Sequence, residues 1–122
     1  MCGRFALYSS LAAIKKLIRI DAVADDLAVS YNIAPTQDVF AVISHEGRRL
    51  GRLHWGLVPF WAKDVSGASK LINARVETLR EKPSFKHLLK SKRCAILADG
   101  FYEWQKVNNL KQPYGRNGDG SI

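Results

Sequence analysis

The sequence predicts an α+β protein built mainly from antiparallel β-hairpins. Three observations carry that assignment. Val39 to Ile43 is a β-branched and aromatic run, His45-Glu46-Gly47 is a turn signal, and Leu50 to Trp55 alternates as a return strand. Cys94 to Ala98 and Phe101 to Val107 are strand-like on either side of an Asp99-Gly100 turn. Asn108-Asn109 then suits a hairpin turn that returns through Gln112 to Tyr114. A helical period occurs clearly once, over Leu11 to Ile20, where Leu11, Ile14, Leu17 and Ile18 fall on one face behind a Ser9 or Ser10 cap.

The remaining elements follow in order. Residues 3 to 8 form a short strand with Cys2 at its start. Lys15, Lys16 and Arg19 lie off the apolar stripe, as a solvated helix side. Residues 21 to 30 are acidic and read as loop or short helix. Tyr31-Asn32-Ile33-Ala34-Pro35-Thr36 reads as an extended loop, because the residue before proline avoids helix. Gly56 to Trp61 is aromatic loop, Asp64 to Ser69 a small-residue loop, and residues 84 to 92 hold a short helix. Gly115 to Ile122 has three glycines and no apolar period, which predicts a flexible tail.

At 122 residues the chain makes one domain. Its hydrophobic fraction of 47% supports a real core. Nineteen basic against eleven acidic residues give a net charge of +8, which favours polyanionic partners or a plain basic surface. Cys2 and Cys94 are too few for a disulfide framework, and no Cys/His cluster has zinc spacing. No metal or cofactor is expected. No apolar run is long enough to span a membrane and no signal peptide is visible, so the expected setting is a reducing cytoplasm.

Cys2 carries the sharpest chemical signal. Methionine is removed readily before a small side chain, which would leave Cys2 as the N-terminal residue. Its α-amine (pKa about 8) and thiol (about 8.5) are then both partly nucleophilic near neutral pH. A 1,2-aminothiol attacks an aldehyde twice, first as a Schiff base and then by closing a thiazolidine ring. A cysteine near a terminus is otherwise most often a small hydrophobe.

Five segments stand together: Met1-Cys2-Gly3-Arg4-Phe5, Tyr31-Asn32-Ile33-Ala34-Pro35, Trp55-Gly56-Leu57-Val58-Pro59, Ile72-Asn73-Ala74-Arg75-Val76-Glu77-Thr78 and Ala98-Asp99-Gly100-Phe101-Tyr102-Glu103-Trp104. In this order they closely resemble the SRAP (SOS response-associated peptidase) family of YedK-like proteins. The resemblance implies a partial SRAP-type, barrel-like sheet. It also implies binding of single-stranded DNA and a covalent thiazolidine crosslink to the aldehyde of an abasic site, with autoproteolytic removal of Met1. Cys2 would be the nucleophile. Asn73 would hold the N-terminal residue and the opened sugar. Glu103 would move protons, a role suited to a carboxyl whose pKa is raised by partial burial. Arg4 and Arg75 would contact phosphates, Pro35 and Trp61 would wedge between bases, and Arg80 and Lys86 would add backbone-directed charge. A location in the bacterial cytosol, associated with the nucleoid, would follow, and any protein partner stays unknown.

Each residue also has a plainer reading. Asn73 could cap a turn, Glu103 could be a solvated strand residue, Arg75 and Glu77 could form a surface ion pair, and Trp61 could belong to the core. His45, His54 and His87 match no catalytic position. The resemblance runs over residues 1–114 and leaves 115–122 as a non-family tail. The second half of the domain, with a histidine in an HxRMP-like motif, has no counterpart here, so a C-terminally truncated domain is expected. Two other functions stay open: an N-terminal-cysteine glutamine amidotransferase, in which the thiolate attacks a side-chain amide, and an inactive remnant that binds DNA through charge.

Overall fold

The computed structural model describes residues 2–118. The class is α+β, with two four-stranded sheets and little helix. In chain order the elements are β1 (Phe5–Leu7), α1 (Leu11–Leu17), β2 (Ala22–Val23), β3 (Ser30–Ile33), β4 (Asp38–Ser44), β5 (Arg48–His54), α2 (Pro83–Lys86), β6 (Cys94–Ile96), β7 (Gly100–Val107) and β8 (Leu110–Asn117), with a short 3₁₀ turn at Ala68–Lys70. One sheet has the order β3-β1-β7-β8 and the other β2-β5-β4-β6. Neither sheet closes on itself among the described residues, so the expected barrel-like sheet takes the form of two open sheets.

Local chemistry sets most boundaries. The Ser10 hydroxyl accepts from the Ala13 amide at 3.2 Å and starts α1. The helix stops three residues short of the expected Ile20, because Ile18 is already extended at φ −132°, ψ 127°. Leu17 consequently leaves the core and is 87% exposed, while Ile14 is buried. At about 100° per residue Leu17 sits at the edge of the apolar arc, where one missing turn removes its cover. Glu46 and Gly47 take positive φ in the β4–β5 turn, and Asn108 and Asn109 do so in the β7–β8 turn. The second pair is the geometry that lets a two-residue loop follow the strand twist.

The acidic segment 21 to 30 is neither helix nor free loop. Ala22 and Val23 run parallel to β5 at its outer edge. The Asp21 and Asp25 carboxylates accept from the Arg48 and Arg52 backbone amides, at 2.8 and 3.2 Å. Two carboxylates thus occupy edge donors that a longer strand would have paired. Residues 30 to 33, expected as loop, pair with β1 as a strand.

Asp99-Gly100 is not a hairpin turn, because β6 pairs with β4 in one sheet and β7 pairs with β1 in the other. The chain crosses between sheets there. The Asp99 carboxylate accepts from the Tyr8 and Ser9 amides, at 2.6 and 2.7 Å, and from the Ser9 hydroxyl. Burial pushes the Asp99 pKa up, but these donors outweigh it and the pKa is lowered. The sheets enclose a core of Phe5, Leu7, Ile33, Val39, Phe40, Val42, Leu50, Trp55 and Leu97, with Ile14 of α1 packed against it.

The tail expected from Gly115 begins as strand. β8 continues to Asn117, opposite Gly100, because Phe101 and Gly100 offer it a ladder of partners. Residues 119 to 122 of that expected tail, and Met1, lie outside the described residues.

Trp55-Gly56-Leu57 shows why its glycine is needed. Gly56 has φ +139°, and a Cβ there would lie 2.7 Å from the Ala68 carbonyl oxygen. Trp55 and Leu57 are fixed on either side by backbone bonds to Gln37 and Leu71. Gly56→Ala is expected to cost more than about 1 kcal/mol, through the wrong φ and the clash together. Urea unfolding measures it, and an unchanged midpoint would contradict this account.

Candidate functional site

The N-terminal strand builds the site. All three residues of β1 are buried. It lies between β3 and β7, with Phe5 opposite both Ile33 and Phe101. A strand fixed on both edges leaves Cys2 little freedom three residues upstream. Cys2 is half-buried, and its thiol points to the Arg4 carbonyl at 3.8 Å. It lines a cavity of ≈ 340 Å³ together with Phe5, Trp55, Ile72, Asn73 and Phe101. Ile96 and Ala98 complete the wall. Phe5 and Trp55 stack in a tilted pair at 5.0 Å and form its aromatic side.

Asn73 closes on this cavity from a loop 71 residues away. Its amide nitrogen donates to the Cys2 carbonyl at 2.9 Å. The loop is itself anchored, since the Leu57 amide donates to the Leu71 carbonyl. The bond uses the one polar group of Cys2 that an aminothiol reaction does not need. The thiol is left to its single long contact with the Arg4 carbonyl.

Glu103 lies one step along the face of β7 that carries Phe101. The β7–β8 register sets Glu103 opposite Tyr114 and Phe101 opposite Arg116, so all four side chains share that face. The Arg116 Nε donates to Glu103 Oε2 at 2.9 Å, and the Tyr114 hydroxyl donates to the same oxygen at 3.1 Å. The Arg116 bond first, then the Tyr114 bond, holds the Glu103 pKa below the ordinary carboxylate value. This reverses the expected direction. The carboxyl side chain is 42% exposed, so burial is too weak to raise its pKa against a guanidinium. The signal was present in the sequence at Arg116, which fell within the segment read as tail.

Arg4 is tied rather than free. Its Nη1 donates to Asn32 Oδ1 at 2.7 Å, joining the strand ahead of Pro35 to the N-terminal segment. Its Nε is buried with no partner among the described residues. Pro35 is half-buried, two residues beyond the end of β3. Trp61 is 51% exposed and meets Phe60 edge-on at 4.8 Å, so it stands outside the core. Arg75, Arg80 and Lys86 are all exposed. None of Pro35, Trp61, Arg75, Arg80 and Lys86 lines the Cys2 cavity. Sequence reasoning missed a second aromatic pair beside the N-terminal strand: Tyr8 and Tyr31 stack at 5.6 Å, with Tyr31 65% exposed. No helix is long and apolar enough to cross a membrane among the described residues, and no group of three or more His, Cys, Asp or Glu side chains is placed to hold a metal.

The Glu103 arrangement has a measurable consequence. A lowered folded-state pKa contributes stability above the ordinary carboxylate range, and that contribution is lost as pH falls through the folded value. Replacing Arg116 with Met is expected to move the Glu103 titration upward, read by carboxyl-carbon NMR. A downward or absent shift would show that Arg116 does not control this carboxylate.

Comparisons with known proteins place the chain in a family. A family model described as SOS response associated peptidase (SRAP) matches residues 1–120. The chain is 48% identical over 112 residues to the abasic site processing protein YoaM of Bacillus subtilis, covering 89% of this chain and 49% of YoaM. It is 38% identical over 107 residues to the abasic site processing protein HMCES of Xenopus tropicalis, covering 77% of this chain and 32% of that protein. The crystal structure of a phage-related protein from Bordetella bronchiseptica superposes with a TM-score of 0.77 at 30% identity, covering 98% of this chain and 56% of that one. The chain thus spans about half the length of the Bacillus relatives it matches. With a family match over nearly all its length, the chain belongs to the SOS response associated peptidase (SRAP) family.

Proposed function

We propose that this chain processes abasic sites in single-stranded DNA by a covalent reaction of Cys2, after Met1 has been removed. The observation that carries the reading is the Asn73 amide bond to the Cys2 carbonyl, 2.9 Å long, at the wall of an apolar cavity. The names of the relatives supply the substrate class, since YoaM, YoqW and HMCES are all abasic site processing proteins.

The chemistry balances without a cofactor. The ring-opened abasic sugar presents an aldehyde. The Cys2 α-ammonium first loses a proton, for which the ionised Glu103, on the face of β7 that carries Phe101, would be the acceptor. The amine adds to the aldehyde carbon, and the carbinolamine hydroxyl leaves as water when the proton is returned. The thiol then adds to the imine carbon, its proton passing to nitrogen. One C–N and one C–S bond form, the carbonyl is lost, and one water is released. Phe5, Trp55 and Phe101 give the cavity an apolar wall beside Cys2, which would favour dehydration and disfavour reversal of the ring. Asn73 acts by position, holding the residue while leaving both nucleophiles unbonded to it. Arg75, Arg80 and Lys86 would contact phosphates, and Trp61 and Pro35 would stack against or separate bases. Residues 1–114 would be the part of the SRAP domain that does this work.

Mixing the protein with a single strand bearing one abasic site tests this directly. A heat-stable adduct on a denaturing gel is expected, with a mass equal to protein plus oligonucleotide less one water. Cys2→Ala is expected to form none. Asn73→Ala is expected to slow adduct formation about three- to tenfold, the range for one lost hydrogen bond. If protein confirmed to begin at Cys2 and to be folded gives no adduct, the chain is a non-reacting DNA binder at most.

A further inference from the structure

A second charged surface lies beyond the reactive cavity. Two hollows, of ≈ 840 and ≈ 490 Å³, adjoin at the end of the β4–β6 pair and share Ile43, His45, Arg93 and Cys94. Lys90 and Arg48 line the larger one, and Lys92 lines the smaller. No Asp or Glu lines either hollow. Lys90, Lys92 and Arg93 are exposed and form none of the three ion pairs found among the described residues. Arg48 is less free, since Asp21 lies against its backbone amide. The three cations come close together because the turn after α2 is tight. The Ser91 and Lys92 amides both donate to the Leu88 carbonyl, so successive side chains fan outward over the hollow.

The placement relates this surface to Cys2. Cys94 lines both basic hollows, and Ile96 lines the reactive cavity. They are two residues apart on β6, about 7 Å along the strand and on one face of it. Their partners Ile43 and Ala41 on β4 keep the same spacing. A strand held at Cys2 would reach the cations within a few nucleotides.

We infer that the Lys90-Lys92-Arg93 surface binds the phosphodiester backbone of the single strand that flanks the lesion. The charge selects a polyanion. The apolar floor of Ile43 and Leu53 between the cations suits sugars and bases better than a bare inorganic anion does. The inference rests on the proposed reaction for its geometry, but the binding it describes is non-covalent and separable from it.

The test uses Cys2→Ala protein, so that no adduct forms, and an unmodified single strand followed by fluorescence anisotropy across a salt series. Changing Lys90, Lys92 and Arg93 together to Ala is expected to weaken binding at low salt by about tenfold or more and to reduce the slope of log affinity against log salt by about 2, at ~0.7 per lost phosphate contact. Changing Lys16, Lys106 and Lys111 to Ala removes the same charge elsewhere and is expected to leave the slope nearly unchanged. A charge-keeping variant, with Lys90→Arg, Lys92→Arg and Arg93→Lys, is expected to bind as the parent does. Equal losses in the two neutralised variants, or no loss in the first, overturn the site. Inorganic polyphosphate competing as well as the oligonucleotide, at equal charge, overturns its assignment to nucleic acid. If abasic DNA forms no adduct yet the slope change is found, the reaction fails and this surface stands. An adduct with an unaltered slope gives the reverse.

Discussion

The site depends on one constraint, the burial of a three-residue strand at the very start of the chain. Termini ordinarily fray, because few contacts oppose their conformational entropy. Here β1 is paired on both edges and buried at every position, and its far end is fastened by Asp99 through the Tyr8 and Ser9 amides. Asn73 fastens the near end through the Cys2 carbonyl. In the proposed reaction, Cys2 would thereby meet its substrate with the rigidity of a core residue. The ordering cost is met when the chain folds and not when substrate arrives, which is the physical basis of preorganisation.

The electrostatics divide along similar lines. Asp21 and Asp25 occupy strand-edge amides, and Asp99 joins the two sheets, so these carboxylates serve the backbone. Glu103 differs in having side-chain partners that are not structural necessities of a strand pair. A carboxylate held ionised by a guanidinium is always available as a proton acceptor, though a weaker base, and its acid form is rarely populated. In the proposed sequence it is needed first as an acceptor, to free the Cys2 amine, and then as a donor to the departing water. The Arg116 contact favours the first duty at some expense to the second.

How much of this was legible depended on whether the determining contact was local. The Ser10 cap, the Glu46-Gly47 turn and the Asn108-Asn109 turn are decided by neighbouring residues, and each stands where the sequence placed it. Cys2 and Asn73 were singled out by motif, and they meet across 71 residues. Long-range partners misled the local reading elsewhere. Asp-Gly is a good turn signal, but Asp99 is claimed by amides some 90 residues earlier and becomes a crossing between sheets. Acidic residues 21 to 30 read as loop or short helix because nothing nearby accounts for them. Their partners are the exposed amides of β5, 27 residues on. The direction of the Glu103 pKa required knowing that Arg116 lies on the returning strand, and a glycine-rich composition concealed that strand.

β6 brings these threads together. All three of its residues are exposed, although Cys-Ala-Ile is a sequence suited to burial. An apolar strand at a sheet edge is usually a liability, covered or interrupted by charge. In this chain the three cations directly before it, Lys90, Lys92 and Arg93, place charge at one end of the strand, and the reactive cavity occupies the other. Those same cations, which charge the end of an edge strand, would in the inferred binding mode start a track that a single strand follows to Cys2. A polyanion bound along that track would cover the exposed edge and bring its chain to the cavity together. Protection of the edge and recruitment of substrate would then be one interaction, and weakening it would be felt in both the solubility of the free protein and its affinity for a single strand.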